Sequence, residues 1–430
     1  MADTQARAFH RDSRQAGFTL LELSVSLLVT VTILLGTLSL FDFSNRLSRV
    51  QTNVSDMQQA LRVSLQDTVQ TVRMAGRGGL PLGAVPTGMS VSVRNNVPAG
   101  ARIGGGSTPK ILEGTDVLTV RGVFRSPIWQ VSSSNPASFT LDPAVGAPVR
   151  GLVQVATSTP TGIPQDLAAL RDAVLAGAPE ALIVVSPRDA GMYAVVELDP
   201  ATSDVNSNPD LYTIGFKIAG GQFTTQYVGM SAGGVYPPGL TSAAFVGLLE
   251  EYRYYVREER DIPSDPNSDL SPRFSRARVF PGTENPYRVD SDPTVLNDAH
   301  PSWRQDIADN ILDMQLALGF DSAQGGGAMT DDEGDTGDDD RIFESADGQN
   351  DDWLYNDVQA FNPATWNARP LYFIRLSLLA RTDRRDPKYE AQRVTWIEDH
   401  DLTTSRHNLR TERMFRRRLL QTVIDMRNIG

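Results

Sequence analysis

The chain has 430 residues, of which 40% are hydrophobic and 21% charged, a composition typical of a folded protein. With 52 acidic against 40 basic side chains its net charge is −12, so its surface as a whole should repel nucleic acid, and nucleic-acid binding is not expected. The absence of cysteine excludes disulfides, thiolate metal sites and cysteine nucleophiles. A chain of this length can be stabilised by its hydrophobic core alone.

An apolar segment follows a short polar leader at the N-terminus. Residues 1–17 contain three arginines, and the next 22 residues from Leu20 to Phe41 carry one ionisable side chain, Glu22. As a helix this segment would rise about 33 Å, close to the thickness of the hydrocarbon core of a membrane. Because a basic leader tends to stay in the cytoplasm, the pattern predicts a single-pass protein whose larger part lies outside the inner membrane.

Three interpretations of this segment differ in where the chain is cut. A cleaved secretory signal is disfavoured, because the apolar run is too long and no small-residue cleavage site follows it. An uncleaved anchor fits the length but leaves Glu22 unexplained, since an ionised carboxylate in the bilayer costs about 2.5 kcal/mol or more. Cleavage between Gly17 and Phe18 would create a new α-amine at Phe18. The Glu22 carboxylate could then neutralise the amine of a neighbouring subunit and fix the register between packed helices.

The segment GFTLLE, Gly17–Glu22, with its basic leader and apolar helix, resembles the class III signal of type IV prepilins. The resemblance implies that a membrane prepilin peptidase cleaves after Gly17 and that Phe18 is N-methylated. It also implies that Glu22 sets the register of the subunit among other minor and major pilins.

The helix is predicted to continue beyond the membrane. From Phe43 to Val72 apolar residues recur at spacings of mostly three and four, with charged residues between them. This pattern predicts a transmembrane half, 18–41, and an amphipathic half, 42–75, that is half buried on its own domain. The glycines within residues 76–79 should end the helix.

Segments typical of strands dominate the remaining head, residues 76–430. Strands are predicted at 116–124, 181–187, 192–198, 211–220, 251–259 and 369–381. A short helix is predicted over 165–176, and residues 306–318 begin with helical spacing and end like a strand. Many strands with few intervening helices favour an α+β fold, in which the long N-terminal helix packs on an antiparallel β-sheet head.

The order of these segments resembles the PilW type of large minor pilin. The resemblance covers most of the chain, with residues 126–180 as an insertion, and rests on RMAGRGG, GTDVLTVRG, EYRYYVREE, ADNILDMQLALGFD, YFIRLSLLAR and FRRRLLQTVIDMRN. It implies a head that enters the periplasm and then reaches the cell surface in the pilus, with an inner-membrane assembly platform and a large tip adhesin as further partners. A mature chain of 413 residues, 430 minus 17, is bulky, which favours a position at or near the tip and a role in priming assembly. The J-type minor pseudopilin of type II secretion systems shares the C-terminal pattern and is the alternative.

An acidic stretch lies within residues 325–352 and includes DDEGDTGDDD, Asp331–Asp340. Carboxylates in a glycine-rich loop suit Ca²⁺, and Asp335, Asp338 and Asp340 are the candidate ligands, although no register gives the spacing of an EF-hand. A solvated acidic loop without a metal is the alternative. Calcium is therefore the one cofactor that the sequence suggests, and no cofactor is certain.

No catalytic motif stands out. The glycine-rich GRGG follows a helix instead of a strand, GGGSTPK lacks the P-loop spacing, and neither HExxH nor GxSxG occurs. His400 and His407 lie near two aspartates but lack a third ligand, and we interpret them as surface histidines. The four arginines within 413–418 are interpreted as a salt-bridged face. The chain is therefore predicted not to be an enzyme, and a membrane-anchored periplasmic hydrolase is the least favoured alternative.

Overall fold

The structure is a computed structural model of the chain. It describes residues 19–80, 90–103, 110–132, 138–140, 150–177, 180–185, 193–217, 243–260, 270–279, 281, 304–320, 353–354 and 371–426. The chain divides into two compact units, Met1–Ser55 and Asp56–Gly430. The predicted leader and the acidic stretch within 325–352 lie outside the described residues.

The described part of the first unit is helical. Helix α1 comprises Leu20–Arg73, and its residues up to Ser55 belong to this unit. The large apolar side chains from Leu20 to Phe43 are exposed, and an 18-residue window of the helix has a mean hydropathy of 2.2. By length and composition this helix could cross a membrane, a property that it shares with signal sequences.

The remainder of α1 belongs to the second unit and buries one face. The buried residues recur at intervals of three and four, as the amphipathic pattern predicts: Met57, Leu61, Ser64, Thr68, Thr71 and Val72. Turns over residues 74–79 end the helix two residues before the predicted boundary. Gly78 has a φ of 108°, and a Cβ at this position would lie 2.7 Å from Cγ2 of Val123. Glycine is therefore required here both by the backbone and by the closeness of its neighbour.

In the described part of the second unit, eleven antiparallel strands form the main sheet. They are β1 (Val91–Arg94), β2 (Val117–Gly122), β3 (Trp129–Gln130), β4 (Ser138–Thr140), β5 (Arg150–Ala156), β6 (Ala181–Val185), β7 (Tyr193–Leu198), β8 (Leu211–Lys217), β9 (Phe245–Arg260), β10 (Leu270–Val279) and β11 (Arg304–Asp309). The long strand β9 is the centre of this sheet. Its first residues pair with β3 and β6, and its later residues pair with β2 and β10.

A second sheet holds the C-terminal part of the unit. Its strand order is β13 (Trp353–Leu354), β12 (Ile311–Phe320), β14 (Leu371–Arg381) and β17 (Arg417–Asp425). A small hairpin, β15 (Trp396–Ile397) with β16 (His400–Asp401), lies between β14 and β17 in sequence. The predicted α+β fold is confirmed, because the sheets are antiparallel and the amphipathic end of α1 is buried in the same unit.

The interpreted insertion at 126–180 is part of a larger substructure. Its one helix, α2, is Ala168–Ala176 and ends at Gly177 in the left-handed conformation. Residues of β3, β5, α2, β6, β7, β8 and β9 share one hydrophobic cluster that includes the fully buried Trp129. The residues that share a hydrophobic core with 126–180 therefore continue along the chain at least to β8.

The predicted helical start of residues 306–318 is wrong. Two strands, β11 and β12, occupy this segment and are separated by Asn310, whose φ is 63°. The backbone of Asn310 makes two hydrogen bonds to distant strands. Its N–H donates to the carbonyl of Pro272 at 2.7 Å, and its carbonyl accepts from the N–H of Arg381 at 2.9 Å. Because β10 and β14 offer edges to these residues, pairing with distant strands overrides the local helical spacing.

Candidate functional site

The first turn of α1 contains a reciprocal pair of contacts between Thr19 and Glu22. The backbone N–H of Thr19 and its hydroxyl both donate to Oε2 of Glu22 at 3.1 Å. In return, the backbone N–H of Glu22 donates to the hydroxyl oxygen of Thr19 at 3.3 Å. This arrangement is a capping box, in which a threonine at the N-cap and a glutamate three residues later satisfy otherwise unpaired N–H groups.

The capping box gives Glu22 a role inside its own chain. The carboxylate is held at the helix start, where the helix dipole also favours a negative charge. Only Oε2 takes part, and Oε1 has no hydrogen-bond partner among the described residues. Gly17 and Phe18 lie outside those residues, so the pairing of Glu22 with an amine at Phe18 stays a prediction.

A second group of polar contacts fixes α1 to the main sheet. The hydroxyl of the fully buried Tyr254, on β9, lies 2.7 Å from Oδ2 of Asp67 and 2.7 Å from the hydroxyl oxygen of Thr71. Nη1 of Arg276, on β10, donates to Oδ1 of Asp67 at 3.1 Å. Burial, and then the nearby Asp67 carboxylate, raise the pKa of Tyr254 well above its ordinary value. The tyrosine therefore remains a neutral donor, and the Asp67 carboxylate is shared between a hydroxyl and a guanidinium.

The prediction of surface histidines is wrong for His407, which is buried, whereas the side chain of His400 is partly exposed, at 17%. Nδ1 of His400 lies 2.8 Å from Oδ2 of Asp313, a residue that is 1% exposed, and His407 is 7% exposed. Burial, followed by the charges of Arg406, Arg417 and Arg381, lowers the pKa of His407 to about 3. Burial also acts to lower the pKa of His400, but Asp313 and the neighbouring aspartates outweigh it, and that pKa lies above its ordinary value.

The sequence also allows His400 and His407 to hold a metal as a pair, for which a third ligand would be needed. Within the described ranges no three histidine, aspartate or glutamate side chains are grouped as a metal site. The three aspartates predicted to bind calcium, Asp335, Asp338 and Asp340, lie outside those ranges, so that site stays a prediction.

The basic run near the C-terminus is paired with acidic side chains. Arg413 forms an ion pair with Glu390, and Nη2 of Arg416 lies 3.0 Å from Oδ2 of Asp386. The guanidinium of Arg416 also lies over the ring of Tyr389, 4.3 Å from its centre. These contacts confirm the interpretation of a salt-bridged face for two of the four arginines.

Residues 285–428 match the model of the family PilW, described as Type IV Pilus-assembly protein W. The matched segment holds β11 and the whole second sheet with its small hairpin. Searches of curated proteins and of solved structures found no match to the chain. The family match over the C-terminal third, together with an N-terminal apolar helix suited to membrane anchoring, indicates a protein related to type IV pilus assembly.

Proposed function

We propose that the chain is a minor pilin of the PilW type that is built into a type IV pilus and primes its assembly. The match of residues 285–428 to a pilus-assembly family carries this proposal. A long apolar helix in the same chain adds to it, because a subunit must be anchored in the membrane before it enters a fibre. Prepilin peptidase cleaves the chain between Gly17 and Phe18, and Phe18 becomes the N-methylated terminus.

The two carboxylate oxygens of Glu22 have different roles in assembly. Oε2 caps the helix through Thr19, which holds the carboxylate at a defined place in the first turn. Oε1 meets the α-amine at Phe18 of an adjacent subunit. In a medium of low dielectric such a pair is strong when its geometry is good, and a mismatch of register leaves a buried charge unpaired. The pair therefore selects one stagger between neighbouring helices.

The head determines where in the fibre this subunit fits. After removal of 17 residues the chain keeps 413, and the main sheet alone has eleven strands. A subunit of this bulk fits at or near the tip in few copies. Its partners are other minor and major pilins, the inner-membrane assembly platform and a large tip adhesin, with the head first in the periplasm and then at the cell surface.

A J-type pseudopilin of type II secretion would have the same cleavage of its leader and the same long N-terminal helix as a minor pilin. The family match names pilus assembly, which favours the pilus. The two functions can be distinguished in cells that carry a tagged copy of the protein. Sheared surface fibres and membranes are prepared from these cells, and the tag is detected in each fraction by immunoblot. We expect the tag in the fibre fraction at low abundance relative to the major pilin, and loss of fibres when the gene is deleted. A tag confined to membranes, with normal fibres and defective protein secretion in the deletion strain, would contradict the proposal.

Cleavage is tested in the same cells with leader variants. Gly17→Val should block processing and keep the tag in the membrane fraction, because the residue before the cut no longer fits the peptidase. The control is Gln5→Ala, a change in the same leader away from the cleavage site, which should leave the distribution unchanged. Fibres that contain Gly17→Val at the normal level would contradict the processing step.

A further inference from the structure

Among the described residues, four amide or carboxylate oxygens are shielded from solvent and have no hydrogen-bond partner. They are Oδ1 of Asn95, Oδ1 of Asn96, Oε1 of Gln315 and Oδ1 of Asp399. Buried acceptors are usually satisfied, because each unpaired one loses its hydration without compensation. Gln315 is fully buried, so the orphaned atom there cannot be satisfied by bulk water.

Two of these residues, Asn95 and Asn96, are hydrogen-bonded to the carboxylate of a third, Asp399. Nδ2 of Asn95 and Nδ2 of Asn96 both donate to Oδ2 of Asp399, at 2.6 and 2.7 Å. The oxygen and nitrogen of an amide share one carbon, so each asparagine oxygen lies within about 5 Å of that carboxylate oxygen. The unpartnered Oδ1 of Asp399 belongs to the same carboxylate.

Gln315 is joined to the same cluster through two neighbours. Its Nε2 lies 2.8 Å from Oδ1 of Asp313 and 3.1 Å from Nδ1 of His400, the residue that follows Asp399. Asp116 connects the two sides, since its carboxylate accepts from the backbone N–H groups of Asn96 and Leu316, both at 2.8 Å. The orphaned oxygens therefore belong to one continuous network between the loop after β1, strand β12 and the β15–β16 turn.

The network contains more negative than positive groups. Asp116, Asp313 and Asp399 contribute three carboxylates, and among the described contacts one basic side chain, His400, pairs with Asp313. Asp116 is fully buried at the centre of this network, and its carboxylate accepts backbone N–H groups from both sides. A cation placed among the orphaned oxygens would relieve the repulsion between these carboxylates.

We propose that Asn95, Asn96, Gln315 and Asp399 bind a Ca²⁺ ion through three amide oxygens and one carboxylate. Oxygen ligands of this kind suit Ca²⁺, which takes them at about 2.3–2.6 Å. Ca²⁺ takes about six to eight oxygens, so water or neighbouring backbone carbonyls would complete the shell around these four. Mg²⁺ should not replace it, because Mg²⁺ dehydrates reluctantly and usually keeps several waters. The ion would link the loop after β1 to the β15–β16 turn, and this site is separate from the acidic stretch within 325–352.

The inference is tested by measuring calcium binding to the full-length protein in detergent. The inference does not depend on the proposed role in the pilus. Equilibrium dialysis should find a bound calcium ion, and its removal with EDTA should lower the midpoint of thermal unfolding. At calcium a hundred times the Kd the midpoint should rise by roughly 3–8 °C, and magnesium should produce no such rise. Absence of both stoichiometric calcium and a calcium-dependent midpoint in the wild-type chain would overturn the inference.

Two variants distinguish this site from the acidic stretch. The triple variant Asp335→Asn, Asp338→Asn and Asp340→Asn should keep the ion and the shift of the midpoint. The double variant Asn95→Ala and Asn96→Ala should lose both, while Asn206→Ala, a change at an exposed asparagine, should behave as wild type. Loss of the ion from the triple variant would overturn the inference, and this result does not depend on whether the double variant folds.

Discussion

The hydroxyl of Tyr254 lies 2.7 Å from Oδ2 of Asp67, although 187 positions separate the two residues in sequence. This contact joins the amphipathic end of α1 to the central strand of the main sheet. Arg276 approaches the same carboxylate from β10. The last turns of α1 are thus tied to the main sheet by a buried polar contact.

Tyr254→Phe should lower the free energy of unfolding by about 1–3 kcal/mol, because Asp67 and Thr71 lose a buried hydrogen-bond donor. Urea unfolding of the detergent-solubilised protein measures this loss. The control is Tyr212→Phe, since Tyr212 is only partly buried and its hydroxyl has no hydrogen-bond partner among the described residues. Equal stability losses in the two variants would show that the Tyr254 contact contributes nothing beyond the removal of a hydroxyl.

Variants of Thr19 and Glu22 should separate helix capping from pairing with a neighbouring subunit. Glu22→Gln keeps a side chain that can complete a capping box but removes the charge, so we expect normal cleavage and strongly reduced incorporation into fibres. Thr19→Ala keeps the charge and removes the cap, which typically costs about 0.5–2 kcal/mol, so incorporation should fall less. Immunoblots of sheared fibres measure incorporation.

The control for these variants is Thr19→Ser, which preserves the capping hydroxyl and should behave as wild type. Wild-type incorporation of Glu22→Gln would rule out charge pairing as the function of Glu22. The capping box would then be sufficient to explain why the residue is a glutamate.

The buried His407 should make the protein less stable as the pH falls. Its pKa is about 3 in the folded state, so the folded chain keeps this ring neutral while the unfolded chain protonates it below about pH 6.5. The contribution of His407 therefore destabilises the fold by about 1.4 kcal/mol per pH unit as the pH decreases from 6.5 towards 3, and this contribution is absent above pH 6.5. Urea unfolding at several pH values should show this slope in the wild type and lose it in His407→Asn.

His400 provides a control of opposite sign. Its pKa is raised in the folded state, so its contribution to stability is complete below its unfolded value and disappears as the pH rises through the folded value. The stability difference between wild type and His400→Asn should therefore grow on acidification. A wild type and a His407→Asn variant with the same pH slope would contradict a buried neutral His407.

Local patterns in the sequence predict the long helix and fewer than half of the strands in the described residues. The spacing of Met57 and Leu61 with later residues identifies the buried face of α1, and the runs around Val120 and Leu376 are strands. The pattern Thr-x-x-Glu at Thr19 is also local and is a sequence signature of a capping box, but the capping box was not among the predictions, which considered only the charge of Glu22.

Contacts between distant segments could not be predicted in this way. The sequence pattern places Asp67 on the exposed, polar face of an amphipathic helix. No neighbouring residue in the sequence predicts its contacts with Tyr254 and Arg276. The burial of His407 likewise depends on the packing of residues 406–416 around it. The strands at 304–320 replace a predicted helical start because β10 and β14 provide partner edges from elsewhere in the chain.

Mass spectrometry of the N-terminal peptide from native fibres and membranes tests the central claim most directly. The account predicts a mature chain that begins at Phe18 with a methylated α-amine, since that amine is the partner of Glu22 in the adjacent subunit. A chain that retains Met1, or one cut after Phe41, would contradict it, because in either case no amine would lie beside the first turn of α1.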